Sequence, residues 1–144
     1  MKTLTLIFLT LFMAKGCSQQ QKEEMKNTSI EYQAMSRGYY LNIIVKDKLL
    51  SVVNERDGKP KFIKIPNSYW QEITDLYLKI DPKDLQKLKA PSENRFVDAS
   101  AIANLRVIYD GKLYETESFD HGNPPKEISE LVKVIISIAK ADRE

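Results

Sequence analysis

Residues 101–119 read AIANLRVIYDGKLYETESF, and the order of apolar and polar residues in this stretch decides the fold. Every second position from residue 101 to residue 109 is apolar, which is the period of a half-buried strand: Ala101, Ala103, Leu105, Val107 and Tyr109. Asp110-Gly111 follows, and Asp-Gly between two alternating runs is a strong hairpin signal. The alternation resumes over residues 112–119, so the stretch predicts two antiparallel strands.

A two-residue turn at positions 110–111 also predicts the register of this hairpin. Tyr109 lies opposite Lys112, and Arg106 lies opposite Glu115 on the solvent-facing side of the pair. We expect this exposed ion pair to contribute only about 0.2–1 kcal/mol to stability.

Extended to the open end of the hairpin, the same register predicts which polar side chains lie close together there. Ser100 is placed opposite His121 and Ala101 opposite Asp120, beside the loop of residues 90–99 and the start of the last helix. This end of the sheet collects the candidate binding residues: Arg95, Asp98, Asp120 and His121. The alternative interpretation is that they only cap the helix and hold the loop, with His121 exposed.

Three or four strands are predicted before the first helix. Residues 29–35, 39–45 and 49–55 each alternate or are rich in Leu and Val, and turn residues separate them. Residues 62–65 fit a short edge strand that ends at Pro66.

Two helical segments are predicted to follow. Ser68 and Gln71 fit a capping box, and the next residues form an apolar stripe at helical spacing: Tyr69, Ile73, Leu76, Tyr77 and Ile80. Asp81 followed by Pro82 predicts a second, short helix that runs to about Lys89.

The last helix is predicted from its cap and its apolar stripe. Asn123 fits the cap and Pro124 the first position, and the stripe is continuous: Ile128, Leu131, Val132, Ile135, Ile136 and Ala139. Such a stripe must be buried, and the sheet is the only large surface available. The sequence therefore predicts an α+β two-layer sandwich, an antiparallel sheet with helices packed on one face in the order β-β-β-α-β-β-α.

The chain opens with MKTLTLIFLTLFMAKGC, whose apolar run has the length of a secretory signal and is too short to span a bilayer. Ala14-Lys15-Gly16-Cys17 resembles the lipobox of bacterial lipoproteins, in the looser form of the phylum Bacteroidota. The resemblance implies that residues 1–16 are a signal peptide, removed before Cys17, and that Cys17 receives diacylglycerol and a further fatty acid. The alternative is an ordinary secretory signal followed by a free thiol.

The residues after Cys17 point to the outer membrane. Gln21-Lys22-Glu23-Glu24 is similar to the export signal of surface lipoproteins in Bacteroidota, with Lys22, Glu23 and Glu24 as its charged residues. The resemblance implies a lipid-anchored protein on the cell surface; the alternative is the periplasmic leaflet. Residues 17–28 are polar and are expected to form a flexible tether before a single α+β domain over residues 29–144.

Composition limits the function. Lys2 and Lys15 lie in the predicted signal, so 20 basic residues of 22 remain against 20 acidic ones, and no nucleic-acid partner is expected. His121 is the only histidine, which excludes a multi-histidine zinc site, and we predict neither cofactor nor metal. Two hypotheses remain: a non-catalytic module that binds a protein partner in the cell envelope, or a small hydrolase or metal-dependent enzyme that uses acidic residues with His121.

Overall fold

The structure, a computed structural model, describes residues 14–141, with side chains from residue 19 onward. Its strands and α-helices follow the chain in this order: α1 (Ala14–Lys26), β1 (Thr28–Met35), β2 (Tyr40–Lys46), β3 (Leu49–Val53), β4 (Lys61–Lys64), α2 (Asn67–Tyr77), β5 (Ile102–Tyr109), β6 (Lys112–Glu115), β7 (Phe119–Asp120) and α3 (Lys126–Ala141). Two 3₁₀ helices, Pro82–Lys87 and Asn94–Val97, lie between α2 and β5.

The strands form one antiparallel sheet in the order β4-β3-β2-β1-β5-β6, with β7 also paired to β5. Alternate residues of the central strands are buried, and the helices supply the opposing apolar surface, including Ile73 of α2 and Ile128, Leu131 and Ile135 of α3. The predicted α+β two-layer sandwich is confirmed. Buried apolar side chains in the described chain run from Met25 to Ala139, so a chain that starts at residue 17 keeps this whole core.

The hairpin between β5 and β6 has the predicted register. Tyr109 pairs with Lys112 and Arg106 with Glu115. The turn residues Asp110 and Gly111 have φ angles of 49° and 76°, the positive values that a type I′ turn requires.

One extra residue in the returning strand makes the predicted pairing beyond Thr116 wrong. Thr116 donates its N–H to the Leu105 carbonyl, but its side-chain Oγ1, in place of a carbonyl, accepts the Leu105 N–H at 3.1 Å. The chain bulges there, and the pairing that follows is shifted by one residue. Asp120 therefore lies opposite Ile102 instead of Ala101. Because strand side chains alternate between faces, this shift brings Phe119 opposite Ala103 of the core face, where it is fully buried.

Both predicted side-chain caps of the long helices are wrong. α2 begins at Asn67 after Pro66, without a side-chain cap, and α3 begins at Lys126, three residues after Asn123. The predicted Asp81 cap is present, since its carboxylate accepts the N–H of Lys83 at 3.0 Å, but the segment that follows is a 3₁₀ helix.

The segment predicted as a flexible tether is largely helical. α1 extends to Lys26, and β1 starts at Thr28, one residue before the predicted domain boundary. Met25 explains the docking of α1, because it is 3% exposed and belongs to the core cluster. Thr28 Oγ1 donates to the Glu24 carbonyl at 2.6 Å, which joins the helix end to the sheet.

Both edge strands of the sheet are short. β4 has four residues, with lysine at each end, and lies between Pro60 and Pro66. β6 also has four residues and ends next to the bulge. The two 3₁₀ helices contact the β6–β7 edge, whereas α2 and α3 pack on the core face. Among residues 14–141, the other face of the sheet is left uncovered.

Candidate functional site

Asp120 lies at the centre of a buried hydrogen-bond network that holds the second 3₁₀ helix. Its carboxylate accepts the backbone N–H groups of Asn94 at 2.8 Å and Arg95 at 2.9 Å, and the Ser92 hydroxyl at 2.5 Å. The Arg95 guanidinium adds an ion pair at 3.2 Å. Asp120 therefore caps the second 3₁₀ helix, and the prediction that it serves the last helix is wrong.

These contacts stabilise the charged form of Asp120. Burial alone raises the pKa of a carboxyl group, but the hydrogen bonds from Ser92 and the Arg95 and Asn94 amides outweigh it and lower the pKa from 3.8 to about 2. Arg95 is itself anchored by Ser92 and Ser118. A carboxylate held in this way is a poor general base, since it binds a proton only in strong acid.

His121 is half-buried between two tyrosines, so the prediction of an exposed histidine is wrong. The Tyr32 hydroxyl lies 2.8 Å from its Nδ1 and the Tyr39 hydroxyl 3.1 Å from its Nε2. Both rings also contact the imidazole, with centroids 5.9 and 5.0 Å away. His121 is consequently held in place on both sides.

The surroundings of His121 favour its neutral form. Either tautomer of the ring satisfies both hydrogen bonds, since each tyrosine hydroxyl can donate or accept. Burial, with a smaller effect of Lys140, lowers the pKa of His121 below 6.5, consistent with a neutral ring.

The structure brings together only part of the predicted site. Arg95 and Asp120 touch, and His121 follows Asp120 but bonds elsewhere. Asp98 is exposed at the end of the second 3₁₀ helix, with a φ of 55°. Within residues 19–141, no hydrogen bond or ion pair joins its side chain to the other three. Tyr32 and Tyr39 were not predicted, because nothing local in the sequence indicates a contact 89 positions away.

The uncovered face of the sheet carries a ladder of paired polar side chains. Asn42 donates to Glu31 at 2.7 Å, and the Arg106 guanidinium lies between Glu31 at 3.8 Å and Glu115 at 2.8 Å. Asn104 also donates to Glu115. The ladder crosses β2, β1, β5 and β6, so it fixes these side chains across the middle of the face.

Large apolar side chains surround this polar ladder. The pairing register places six of them on the uncovered face, each at least 36% exposed: Ile44, Leu49, Phe62, Ile102, Ile108 and Leu113. Isolated exposed apolar residues are ordinary, but several on one face are typical of an interaction surface. The sequence held a signal for them: Ile44, Ile102 and Ile108 occupy strand positions where the alternation expects polar residues.

Other site types find no support in the described part of the chain. Its His, Cys, Asp and Glu side chains form no group of three suited to a metal ion, and none of its helices has the length and apolar character of a membrane span. No protein family, curated protein or solved structure matches this chain.

Proposed function

We propose that this protein is a lipid-anchored lipoprotein of the outer membrane, displayed on the cell surface, that binds a protein partner through the uncovered face of its sheet. The observation that carries the binding role is the six exposed apolar side chains around the Glu31–Arg106–Glu115 ladder. A rigid polar centre with apolar surroundings offers both orientation and buried area to a partner.

The hydrogen bonding of the loop end favours this function over hydrolysis. A hydrolase that used Asp120 and His121 would need at least one of them to reach substrate with a free lone pair or proton. Instead, Asp120 accepts hydrogen bonds at both oxygens, and both nitrogens of His121 face tyrosine hydroxyls. These groups stabilise the loop that they hold.

The lipid anchor is proposed from Cys17 and the sequence around it. Two or three acyl chains hold a protein on a bilayer almost permanently, whereas one chain binds only marginally. Cys17→Ser is expected to leave a larger, unprocessed precursor without fatty-acid label. A soluble, unlabelled wild-type protein cut at another site would refute the anchor.

Surface display has its own test. Replacing Lys22, Glu23 and Glu24 by alanine is expected to preserve fatty-acid labelling but to protect the protein from protease added to whole cells. Protection of the wild type would instead place the protein on the periplasmic side.

Site-specific photo-cross-linking tests the binding face. A photoreactive residue at position 44 or 108 is expected to give one discrete cross-linked species in cells, and the same residue at position 133, on the exposed side of α3, none. Phe62→Glu with Leu113→Lys should abolish the cross-link while lowering the free energy of unfolding by less than about 1 kcal/mol, because both side chains are exposed. Equal cross-linking at all positions would contradict the proposal.

A further inference from the structure

A groove of about 630 Å³ lies between α1 and α2, beside the part of α1 that follows Cys17. Lys22, Met25 and Lys26 line its α1 wall, and their i, i+3 and i+4 spacing puts them on one side of the helix. Trp70 lies on the α2 wall, and Lys48 lines the groove from the β2–β3 turn. The volume falls within the usual range for small-molecule sites.

The groove has an apolar floor and a cationic rim. Met25 is 3% exposed and Trp70 is half-buried, whereas Lys22, Lys26 and Lys48 are all exposed. Asp47 is the single carboxylate among the described lining residues, which leaves a net charge of +2. The groove therefore suits a ligand that joins an anionic group to an apolar one.

The lysines of the rim are available for such a ligand. Between residues 19 and 141, no ion pair involves any of the three. Lys48 donates to the Asn67 side-chain oxygen at 3.2 Å, which joins two lining residues, one in the turn and one at the start of α2.

The position of the groove near Cys17 indicates that the ligand comes from the membrane. Lys22 follows Cys17 by five residues in α1, a rise of about 7.5 Å. Acyl chains on Cys17 would thus hold the rim close to the headgroups of the membrane, where each lysine near an anionic surface adds to the attraction.

We propose that the groove between α1, α2 and the β2–β3 turn binds the phosphate of an anionic phospholipid headgroup, with the first methylenes of the lipid against Met25 and Trp70. This proposal rests on the proposed lipid anchor, because the anchor brings the groove to the membrane. It gives the anchored domain a fixed orientation on the membrane, because the headgroup holds α1 at a second point beyond the acyl chains.

Trp70 provides the measurement, since it is the only tryptophan in the chain. The protein used is residues 17–144 with Cys17→Ser, which keeps the whole core. It is titrated with short-chain phosphatidylglycerol below the critical micelle concentration. We expect a saturable blue shift of Trp70 emission. Short-chain phosphatidylcholine and inorganic phosphate are the two comparison ligands, and each is expected to give a much smaller shift.

Matched variants locate the binding. Lys22→Gln and Lys48→Gln should each weaken the phosphatidylglycerol affinity roughly fivefold. Lys79→Gln and Lys133→Gln, at exposed positions away from the groove, should leave it unchanged. Thermal melts confirm that all four variants fold.

Several results would overturn the lipid site. These are an absent shift, an equal shift with inorganic phosphate or with phosphatidylcholine, and equal losses in the groove and control variants. Because this assay uses the unacylated chain, its failure would leave fatty-acid labelling of Cys17 in cells intact, and a failure of labelling would leave the titration intact. The two proposals can therefore fail separately.

Discussion

Two of the arginine–carboxylate pairs in the described part of the chain differ mainly in their exposure to water. Arg95 and Asp120 are 3.2 Å apart with side chains only 7% and 2% exposed, whereas Arg106 and Glu115 are 2.8 Å apart and 31% and 34% exposed. Distance alone would rank the second pair as the stronger. Water screens that pair, however, while the first would leave an uncompensated buried charge if either partner were lost. Burial therefore decides what each pair contributes.

Removal of the buried guanidinium should have the largest effect. Arg95→Met is expected to lower the free energy of unfolding by about 3 kcal/mol, because Asp120 then stays buried without its cation. Urea unfolding at neutral pH measures the change, with Val97→Ala on the same 3₁₀ helix as an exposed control. A loss no greater than that of the control would mean that burial does not distinguish the two pairs.

Acid titration isolates the carboxylate of the buried pair. The pKa of Asp120 is 3.8 when unfolded and about 2 when folded, so between these values the unfolded state binds more protons. The stability that Asp120 contributes is complete above pH 3.8 and is lost as the pH falls through about 2. Asp120→Asn should be less stable than the wild type at neutral pH and lose less stability across this acid window. Parallel wild-type and variant curves from urea titrations would contradict this.

His121, the residue after Asp120, also makes stability depend on pH. Here folding favours the neutral form of the side chain, whereas at Asp120 it favours the charged form. Folding lowers the pKa of His121 below 6.5, so stability is complete above that pH and decreases as the pH falls through the folded pKa. Tyr32→Phe removes the hydrogen-bond partner of Nδ1 and should cost about 1 kcal/mol. His121→Gln should flatten the change in melting temperature just below pH 6.5, with Tyr39→Phe as a comparison on the Nε2 side. An unchanged slope in His121→Gln would show that another group titrates.

The exposed pair should give the smallest effect. Arg106→Met is expected to change the free energy of unfolding by only about 0.2–1 kcal/mol, and added salt should reduce the difference further. Salt-dependent melts of the wild type and Arg106→Met measure it. A loss comparable to that of Arg95→Met would show that the ladder on the uncovered face stabilises the fold as a connected network.

The parts of the fold that sequence reasoning found depend on local chemistry. Asp110 and Gly111 favour the positive φ angles of the hairpin turn whatever the rest of the chain does. The apolar stripe of α3 has to be buried, and the sheet offers the surface for it. The register past Thr116 was missed because a bulge inserts one residue without changing the composition of the strand. α1 was missed because one buried methionine, Met25, docks an otherwise polar segment.

The candidate site was predictable in its location and unpredictable in its bonding. Hairpin pairing brought residues 95 and 120 to one end of the sheet, and the structure places them in contact. Their partners, Ser92 and the amides of the second 3₁₀ helix, depend on the conformation of a loop that has no periodic pattern. The tyrosines around His121 come from β1 and the loop before β2, and only tertiary folding makes them neighbours.

The short edge strands have a consequence for how a partner can be recognised. A peptide that adds a strand to a sheet is held by main-chain hydrogen bonds, which tolerate almost any sequence. β4, with Lys61 and Lys64 at its ends and prolines on either side, and β6, which stops at the bulge, give such a peptide little backbone to follow. The proposed partner would therefore be recognised through side chains on the uncovered face. Point substitutions there would then change which partner binds without changing the backbone beneath.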